Sequence, residues 1–530
     1  MTIASFFRRI LLALALLHLL VACGGGEVSG VGSGGSGLAS GTVSGFGSIY
    51  VDGVEIEDAQ ASTVAENADG STTPVAAKLG QRVNVLQAST GVASQVTIEP
   101  TVVGTVSQLD ATNTSLMVAG QLVSVNTGVA KGPLTVFGGG YLALSDVAVG
   151  DAVEIHGSRN LAGSSGAVMA SRIEKLARLD AVRVTGPASQ VNVAAAIFYI
   201  GSLQVGHASL SVVPNVALVA NGAEVTVWGT PVAGASTPAI TASRIRLASA
   251  VRSDSAPGSE AQYSGFVSGY DAKNGSFSVQ GVLVRLQGVQ VLPSTAALAD
   301  GIYVRVRGFL ASDGSLTAQS VSVQQASGTD TFGQVRLSGS IGAFLNTASF
   351  VVRNVPVDAS AINTSTACPG TALASGTFVE VSATQQAGTD VVKAVSLVCP
   401  AASALPAFAM RQYQGTASAV VTADKTLTLL QAGRPNQPVR WSSQTAFNGL
   451  SATTLNGASV VIEAYLDVSG QLIAREIRSP GQQEADRFDP RNGPGAWDQY
   501  DGQYREPPPD SPKPGDKPGT TPPTDPSAPT

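Results

Sequence analysis

The stretch Gly80-Gln-Arg-Val-Asn-Val85 introduces the pattern that decides the fold: a glycine, two residues, then alternating apolar residues. Alternation is typical of a strand with one buried face, and the glycine indicates a tight turn before it. The pattern recurs as Gly150-Asp-Ala-Val-Glu-Ile155, Gly222-Ala-Glu-Val-Thr-Val227, Gly301-Ile-Tyr-Val-Arg-Val306, Gly376-Thr-Phe-Val-Glu-Val381 and Gly457-Ala-Ser-Val-Val-Ile462. Successive glycines are 70, 72, 79, 75 and 81 residues apart, which predicts six copies of one unit.

The flanks of the pattern repeat as well. A hairpin precedes it, as in Ile49-Tyr-Val-Asp-Gly-Val-Glu-Ile56 and Phe277-Ser-Val-Gln-Gly-Val-Leu-Val284. A further strand follows it, as in Ala170-Ser-Arg-Ile173. Asp-Gly and Gln-Gly between alternating apolar residues are hairpin signals. Each unit therefore has about five short strands, and a small closed barrel is the arrangement that buries one face and removes free edges.

We accordingly predict an all-β protein of six tandem, small, OB-like β-barrels, each with its own apolar core. A solenoid with one shared core is the alternative, but solenoid repeats are usually shorter, about 20–50 residues. The predicted segments are a signal peptide at 1–22, a lipid anchor and Gly/Ser tether at 23–40, barrels at 41–100, 101–178, 179–250, 260–327, 332–400 and 411–480, and a disordered Pro-rich tail at 481–530.

Composition limits the classes of function. The 530 residues are 44% hydrophobic and 13% charged, with 59 Gly, 28 Pro and a formal charge of −6. The apolar share excludes wholesale disorder, and the thin negative charge argues against a nucleic-acid partner, which requires a concentrated basic face. Thirteen of the prolines fall in 480–530, where a solvated tail or a spacer is expected.

The N-terminus predicts a lipid anchor. Arg8 and Arg9 precede an apolar run from Ile10 to Leu20 that is too short to cross a bilayer. The run ends in Leu20-Val-Ala-Cys23, which resembles the lipobox of bacterial lipoproteins and implies that Cys23 is lipidated. Residue 24 is Gly and not Asp, which by the same resemblance implies the outer membrane. An ordinary signal peptide or a short buried helix is the alternative.

The openings Gly41-Thr-Val-Ser-Gly-Phe-Gly-Ser-Ile49 and Tyr263-Ser-Gly-Phe-Val-Ser268, with Gly150-Asp-Ala-Val-Glu-Ile-His-Gly157, resemble a domain-of-unknown-function family. That family occurs in tandem in Gram-negative lipoproteins and is considered OB-like. The resemblance covers about 41–480; it is clearest in the first, second and fourth copies and weaker in the third and sixth. It implies no catalytic residues.

Cys368 and Cys399 both fall in the fifth repeat, and an oxidising compartment favours a disulfide between them. Free thiols and a redox or metal pair are the alternatives, although CxxC spacing is absent. Beyond the signal peptide the histidines are His156 and His207, in different repeats. Two histidines so placed do not make a zinc site, so we predict no metal and no cofactor.

Candidate binding residues lie on outward strand positions. Tyr303, Arg305 and Arg307 alternate with valines in the fourth barrel, Arg285 lies in the same barrel, and Trp228 is outward in the third. An exposed aromatic with arginines suits acidic glycans or phosphate. The alternatives are a solubilising face or an inter-domain contact. Glu55, Glu57 and Asp58 form an acidic stretch that we interpret as a solvated edge.

These observations predict a non-enzymatic outer-membrane lipoprotein, an elongated monomer that presents its barrels to a glycan or to another envelope protein. A structural stalk or adhesin on the cell surface is one alternative. An envelope hydrolase is the other, and a buried carboxylate pair with a raised pKa would favour it.

Overall fold

The computed structural model describes residues 37–480 except 111, 113, 129–131, 163–165, 209–218, 249–255, 325–331, 387–388, 402–404 and 406–407. The predicted signal peptide, Cys23 and the tail at 481–530 lie outside the described residues. Strands dominate the described part, as the sequence predicts. No helix in it has the length and apolar character needed to cross a membrane.

The strands form six successive barrels, numbered 1 to 6 along the chain. Barrel 1 contains β1 (Gly37–Phe46), β2 (Ile49–Val51), β3 (Val54–Ile56), β4 (Ser62–Glu66), β5 (Thr72–Pro74), β6 (Arg82–Ser89) and β7 (Val92–Ile98). Barrel 2 contains β8 (Val102–Asp110), β9 (Ser115–Val118), β10 (Gln121–Val125), β11 (Val136–Gly138), a 3-10 turn (Leu144–Asp146), β12 (Ala152–Arg159) and β13 (Val168–Lys175). Barrel 3 contains β14 (Val182–Pro187), β15 (Ser189–Asn192), β16 (Ile197–Ile200), β17 (Leu203–Gly206), β18 (Glu224–Pro231) and β19 (Ala239–Leu247).

The second half of the chain repeats this plan. Barrel 4 contains β20 (Glu260–Asp271), β21 (Ser276–Val279), β22 (Val282–Arg285), β23 (Val291–Leu292), β24 (Tyr303–Leu310) and β25 (Leu316–Val323). Barrel 5 contains β26 (Gln334–Asn346), β27 (Ser349–Val352), β28 (Val355–Asp358), α1 (Thr364–Ala367), β29 (Phe378–Gln385) and β30 (Val392–Val398). Barrel 6 contains β31 (Arg411–Val421), β32 (Thr426–Leu430), β33 (Gln437–Arg440), β34 (Ala446–Asn448), β35 (Ser459–Leu466) and β36 (Leu472–Arg478).

Barrel 4 shows how each ring closes. β20, β21 and β22 form an antiparallel meander, and β22 then pairs in parallel with β25. β25 pairs with β24, and β24 returns antiparallel to β20. Barrels 2, 5 and 6 have the same pairings. In barrel 1 the third strand is divided into β3 and β4, and in barrel 3 the first is divided into β14 and β15.

The six glycines of the sequence pattern occupy equivalent places. Their φ angles lie between 81° and 97°, a region that favours glycine. Each glycine donates its N–H to a carbonyl of the first strand of its barrel at 2.7–2.9 Å. The residue accepting that bond donates its own N–H to the carbonyl of the residue after the glycine, at 2.8–2.9 Å. This reciprocal pair joins the fourth strand to the first and closes the ring.

The apolar interiors are not six separate cores. One cluster of buried side chains runs through barrels 1 and 5, and another runs through barrels 2 and 3. The expectation of private cores is wrong for these four barrels because their sheets continue into one another: β1 pairs with β26, and β8 pairs with β14. Barrel 6 keeps its own cluster, and that of barrel 4 also takes in Leu38 and Leu86 of barrel 1.

Barrel 1 lies at the centre of the assembly. β1 pairs in parallel with β20 of barrel 4 and with β26 of barrel 5. At the second contact a Cβ on Gly45 would lie 2.3 Å from the carbonyl oxygen of Arg336, so this approach requires glycine. Arg172 of barrel 2 donates to the carbonyl of Leu79 at 3.0 Å, and Arg475 of barrel 6 donates to the carbonyl of Ala61.

Barrel 3 also contacts barrel 1, through salt bridges from Arg246 to Glu66 and Glu99. Barrels 2 to 6 thus all dock on the first barrel, so the prediction of an elongated monomer is wrong. Alternation identifies which strand face points outward, but it carries no information on what will cover that face.

The last four residues of the segment predicted to be a tether belong to barrel 1 instead. Residues 37–40 belong to β1, where Leu38 and Ala39 are each 1% exposed. β1 starts this early because it pairs with β6 on one side and with β20 on the other. A Gly/Ser-rich composition indicates flexibility, but neighbouring strands can order such a segment when each backbone group finds a partner.

The predicted disulfide is confirmed. Cys368 and Cys399 are bonded, with their Cα atoms 4.9 Å apart and a sequence separation of 31. Cys368 follows α1 directly, and Cys399 follows β30. Both side chains belong to the apolar cluster of barrels 1 and 5. The bond therefore ties the segment before β29 to the last strand of barrel 5.

The glycine turn can be tested at Gly150, where a Cβ would meet no atom within 4 Å and φ is 97°. We expect Gly150→Ala to lower the free energy of unfolding by about 1–2 kcal/mol, because an L-residue is strained in this region. The midpoint of urea unfolding measures the loss. The matched control is Gly128→Ala in the same barrel, where a Cβ also meets nothing and φ is not positive. Equal stability of the two variants would contradict this account of the turn.

Candidate functional site

Tyr303 lies between barrels and not on the surface. It is 3% exposed, and its ring packs edge-on against Phe266 and Phe332, with centroids 5.1 and 5.2 Å away. Its hydroxyl donates to Asp52 of barrel 1 at 3.3 Å. The expectation that Tyr303 is exposed is wrong because the first half of β24 packs on barrel 1.

Arg305 faces the same contact. Its Nη1 donates to the backbone carbonyl of Asp52 at 2.8 Å. Burial raises the pKa of the Asp52 carboxyl, although the N–H of Thr42 and the nearby charge of Arg82 oppose that shift. Burial, together with the Asp52 charge, also raises the pKa of Tyr303. This part of the predicted surface is thus an inter-barrel contact, which was one of the alternatives.

Trp228 is likewise buried, at 2% exposed, in the contact between barrels 1 and 3. Three guanidinium groups surround its ring, those of Arg183, Arg244 and Arg246, at 5.2, 4.7 and 5.5 Å from the centroid. The expectation that Trp228 is exposed is therefore wrong. Alternation places Trp228 on the outer face correctly, but that face is covered by barrel 1.

Two carboxylates of barrel 1 neutralise these arginines. Glu66 accepts from Arg244 and Arg246 at 2.6 Å each, and Glu99 bridges Arg246 at 2.9 Å and Arg183. Burial alone would raise the pKa of Glu99, but the charges of Arg246 and Arg183 outweigh burial and hold it below its usual range. The cluster is a buried ion network in which each carboxylate links two guanidinium groups.

His156 and two residues of the acidic stretch have hydrogen-bond partners. His156 is fully buried; its Nδ1 accepts from the backbone N–H of Arg82 at 3.2 Å, and its Nε2 lies 2.8 Å from a Glu154 oxygen. Asp58 accepts from the backbone N–H of Ile49 at 3.1 Å, and Glu57 accepts from that of Ala59 at 2.9 Å. Among the described residues no group of His, Cys, Asp and Glu is arranged to hold a metal ion.

One buried carboxylate pair does occur. Glu463 and Glu476 are register partners on β35 and β36, and they are 8% and 2% exposed. Burial and the neighbouring charge of Glu463 raise the pKa of Glu476. The adjoining cavity, between barrels 1, 5 and 6, has a volume of only about 50 Å³. That volume holds a few water molecules, so the recess beside the pair is small.

The second half of β24 emerges from the contact with barrel 1. Phe309 is 41% exposed, and the side chains of Arg285 and Arg307 are 41% and 43% exposed. Phe309 and Arg285 are both register partners of Thr317, so these residues form a row across three strands. Neighbouring strands lie about 4.8 Å apart, which places the row within one ligand's reach. We call Arg285, Arg307, Phe309 and Thr317 the barrel 4 face.

Both arginines of the barrel 4 face have surface partners. Arg285 donates to Asp313 at 2.9 Å and to Ser315 at 2.6 Å, and Arg307 donates to Glu260 at 2.8 Å. Exposed ion pairs contribute little, about 0–1 kcal/mol, so a carboxylate ligand can replace either partner at low cost. Sequence reasoning missed Phe309, although the alternation through 303, 305 and 307 continues to it.

Comparison with known proteins identifies part of the chain. The family model described as a domain of unknown function (DUF5666) matches residues 103–174, 264–322 and 414–478, which lie in barrels 2, 4 and 6. The matched ranges include barrel 6, where the sequence resemblance is weak, and do not include barrel 1, where it is among the clearest. No curated protein matches the chain. A structure titled Drosophila Unr CSD456 is 11% identical, covering 41% of this chain and 96% of that one, at a TM-score of 0.12 that establishes no shared arrangement.

The ion network between barrels 1 and 3 can be tested at Glu99. We expect Glu99→Gln to destabilise the protein by about 3–5 kcal/mol, because the substitution leaves Arg183 and Arg246 buried without a full counter-charge. Urea unfolding and a red shift of Trp228 fluorescence measure the loss. The control is Glu380→Gln on an exposed position of β29, which should change stability by less than about 0.5 kcal/mol.

The same network sets a pH dependence. Because the folded pKa of Glu99 lies below its ordinary value of 4.5, its stabilisation is present above pH 4.5 and is lost as the pH falls through the folded pKa. The difference in free energy of unfolding between wild type and Glu99→Gln should therefore shrink as the pH is lowered below 4.5. A difference that stays constant with pH would contradict the assignment.

Proposed function

We propose that this protein is a non-enzymatic, lipid-anchored protein of the outer membrane that binds acidic glycans through the barrel 4 face. The observation that carries the proposal is an exposed aromatic ring, Phe309, on one strand face with two arginines that are held only by surface ion pairs. Sugar rings pack on aromatic faces, and guanidinium groups bind carboxylates through paired hydrogen bonds.

The docking of the barrels supports a binding role. The barrel 4 face begins beside the contact that Tyr303 and Arg305 make with Asp52. The backbone of β24 is also held on both sides, because it pairs with β20 and with β25. A surface that is ordered before the ligand arrives loses little conformational entropy on binding. A structural stalk would need its barrels arranged end to end. The barrels instead cluster around barrel 1, which favours a compact protein that presents a binding surface.

The membrane part of the proposal is supported by the N-terminal sequence. Arg8, Arg9, the short apolar run and the placement of Cys23 agree with a lipoprotein signal, and Gly24 with the outer membrane. Several acyl chains give near-permanent anchoring, since each buried CH₂ contributes about 0.8 kcal/mol. We infer that the anchored protein is a monomer, with barrel 1 supplying the contacts that a partner subunit would otherwise supply.

Glycan binding is tested with oligogalacturonate as the acidic probe and dextran as the neutral one. We expect Phe309→Ala and Arg307→Gln each to weaken oligogalacturonate binding about tenfold, or ~1.4 kcal/mol, as measured by calorimetry. Wild type should not bind dextran. The affinity for oligogalacturonate should fall as salt concentration rises, because the charged contacts are exposed.

The matched control for the arginine is Arg178→Gln in barrel 2, an exposed arginine whose side chain is 82% accessible and is paired with Asp180. Leu466→Ala in barrel 6, at a residue that is 44% exposed, is the control for the aromatic ring. Both controls should bind like wild type. If they weaken binding as much as the barrel 4 variants do, the barrel 4 face is not the binding site.

The anchor is tested separately by Cys23→Ser. This substitution removes the thiol that would carry the lipid, so the protein should move from the membrane fraction to the soluble fraction of lysed cells. Cys368→Ser in the fifth barrel is the control and should stay with the membranes. A Cys23→Ser protein that remains in the outer-membrane fraction would show that the lipid is not what holds it.

A further inference from the structure

A second recess lies at the point where barrels 1, 2, 3 and 4 meet. It is a cleft of about 140 Å³, room for on the order of ten water molecules. Arg82 of β6 and Arg159 of β12 line it, together with the hydroxyl-bearing residues Ser158, Thr101 and Thr226. The cleft is separate from the barrel 4 face, and none of the four residues of that face lines it.

Arg159 is bound only by neutral groups. Its Nη1 donates to the carbonyl of Gly166 at 2.9 Å, and its Nη2 donates to Gln121 Oε1 and to the carbonyl of Thr185, both at 3.0 Å. Its Nε is buried and has no hydrogen-bond partner. Burial lowers the pKa of this guanidinium, and the charge of Glu224 opposes that shift without an ion pair between the two.

The guanidinium group of Arg82 is likewise bound only by neutral groups. It is 7% exposed, and its guanidinium donates to Ser158 Oγ at 2.6 Å and to Ser40 Oγ at 3.5 Å, both neutral hydroxyls. Its backbone N–H is held by His156. Within the described part of the chain, neither Arg82 nor Arg159 forms an ion pair with a carboxylate.

Other buried arginines of this protein do form such pairs. Arg172 lies 2.8 Å from Glu174, and Arg183 and Arg246 share Glu99. A guanidinium group removed from water without a counter-charge costs several kcal/mol, so such a group is normally paired. Glu99 also lines the cleft, but Arg183 and Arg246 already engage it. Arg82 and Arg159, which both line this recess, therefore have no ion-pair partner among the described residues, although Glu224 also lines it and the charge of Asp52 lies near Arg82.

We propose that this four-barrel cleft binds a small anion that carries a carboxylate or a phosphate group. Arg82 and Arg159 supply the positive charge, and the hydroxyl groups around them supply further hydrogen bonds. The bound anion provides the ion-pair partner that these two arginines lack among the described residues. Since residues from barrels 1 to 4 line the cleft, the anion also strengthens the docking of these barrels.

The proposal is tested on the full-length protein in detergent with two probes, inorganic phosphate and glucuronate. We expect saturable binding of at least one of them by calorimetry, with an accompanying rise in Tm. Tighter binding of phosphate identifies a phosphate ligand, and tighter binding of glucuronate identifies a sugar acid. Absence of saturable binding of both probes overturns the proposal.

The site itself is located with substitutions at Leu161, which lines the cleft and is 43% exposed, so that either variant should fold. Leu161→Glu adds a negative charge at the mouth and should weaken binding of the anion at least tenfold. Leu161→Gln has the same size without the charge and should bind within twofold of wild type. Equal affinity of the two variants would place the anion elsewhere.

Arg159→Gln is the direct test of the guanidinium group. Binding of the preferred probe should fall at least tenfold, and Arg159→Lys should recover part of it because the charge is restored. Arg285→Gln on the barrel 4 face is the control, and it should leave anion binding in the cleft unchanged. A weakening by Arg285→Gln equal to that by Arg159→Gln would indicate non-specific attraction to positive charge and would overturn the proposal.

Discussion

The structure depends on a pair of backbone hydrogen bonds that recurs in all six barrels. In each, a glycine with positive φ donates to the first strand, and the first strand donates back to the residue after that glycine. These bonds join the fourth strand to the first, so each sheet closes on itself. Parts of β1 and β8 also pair with strands of other barrels, and the remaining contacts between barrels come from outward side chains.

The outward faces are accordingly rich in long polar residues directed at barrel 1. Arg172, Arg246 and Arg475 come from the last strands of barrels 2, 3 and 6, and each bonds a carbonyl or a carboxylate of the first barrel. Strand pairing is added for barrels 4 and 5, where β1 lies alongside β20 and β26. Repeats of one fold thus dock on a common centre in two ways, through the last strand in barrels 2, 3 and 6 and through the first strand in barrels 4 and 5.

The fold can be predicted from the sequence because the repeat period, the turn glycine and the alternation of apolar residues are local signals. The disulfide between Cys368 and Cys399 is predicted from their shared repeat and an oxidising compartment, whereas the local signals predict the six rings. Local signals cannot predict how the barrels dock. Alternation assigns Trp228 and Tyr303 to the outer face of a strand but does not indicate what covers that face. Leu38 shows the same limit, because its burial in β1 depends on β20, more than 200 residues later. The alternation along β24 was enough to predict Phe309 as an outward residue. The cleft around Arg159 could not be predicted in this way, because it forms only when four barrels are docked.

β24 shows how one strand can serve two purposes. Tyr303 and Arg305 at its start are committed to Asp52, and Phe309 near its end is open to solvent. The boundary falls at Arg307, which pairs with Glu260, while the other oxygen of Glu260 accepts from Thr90 of barrel 1 at 3.1 Å. The exposed half is therefore fixed in place by the buried half. A strand that is anchored in this way presents its free side chains in one geometry, and that geometry is what recognition of a stiff, charged polymer needs.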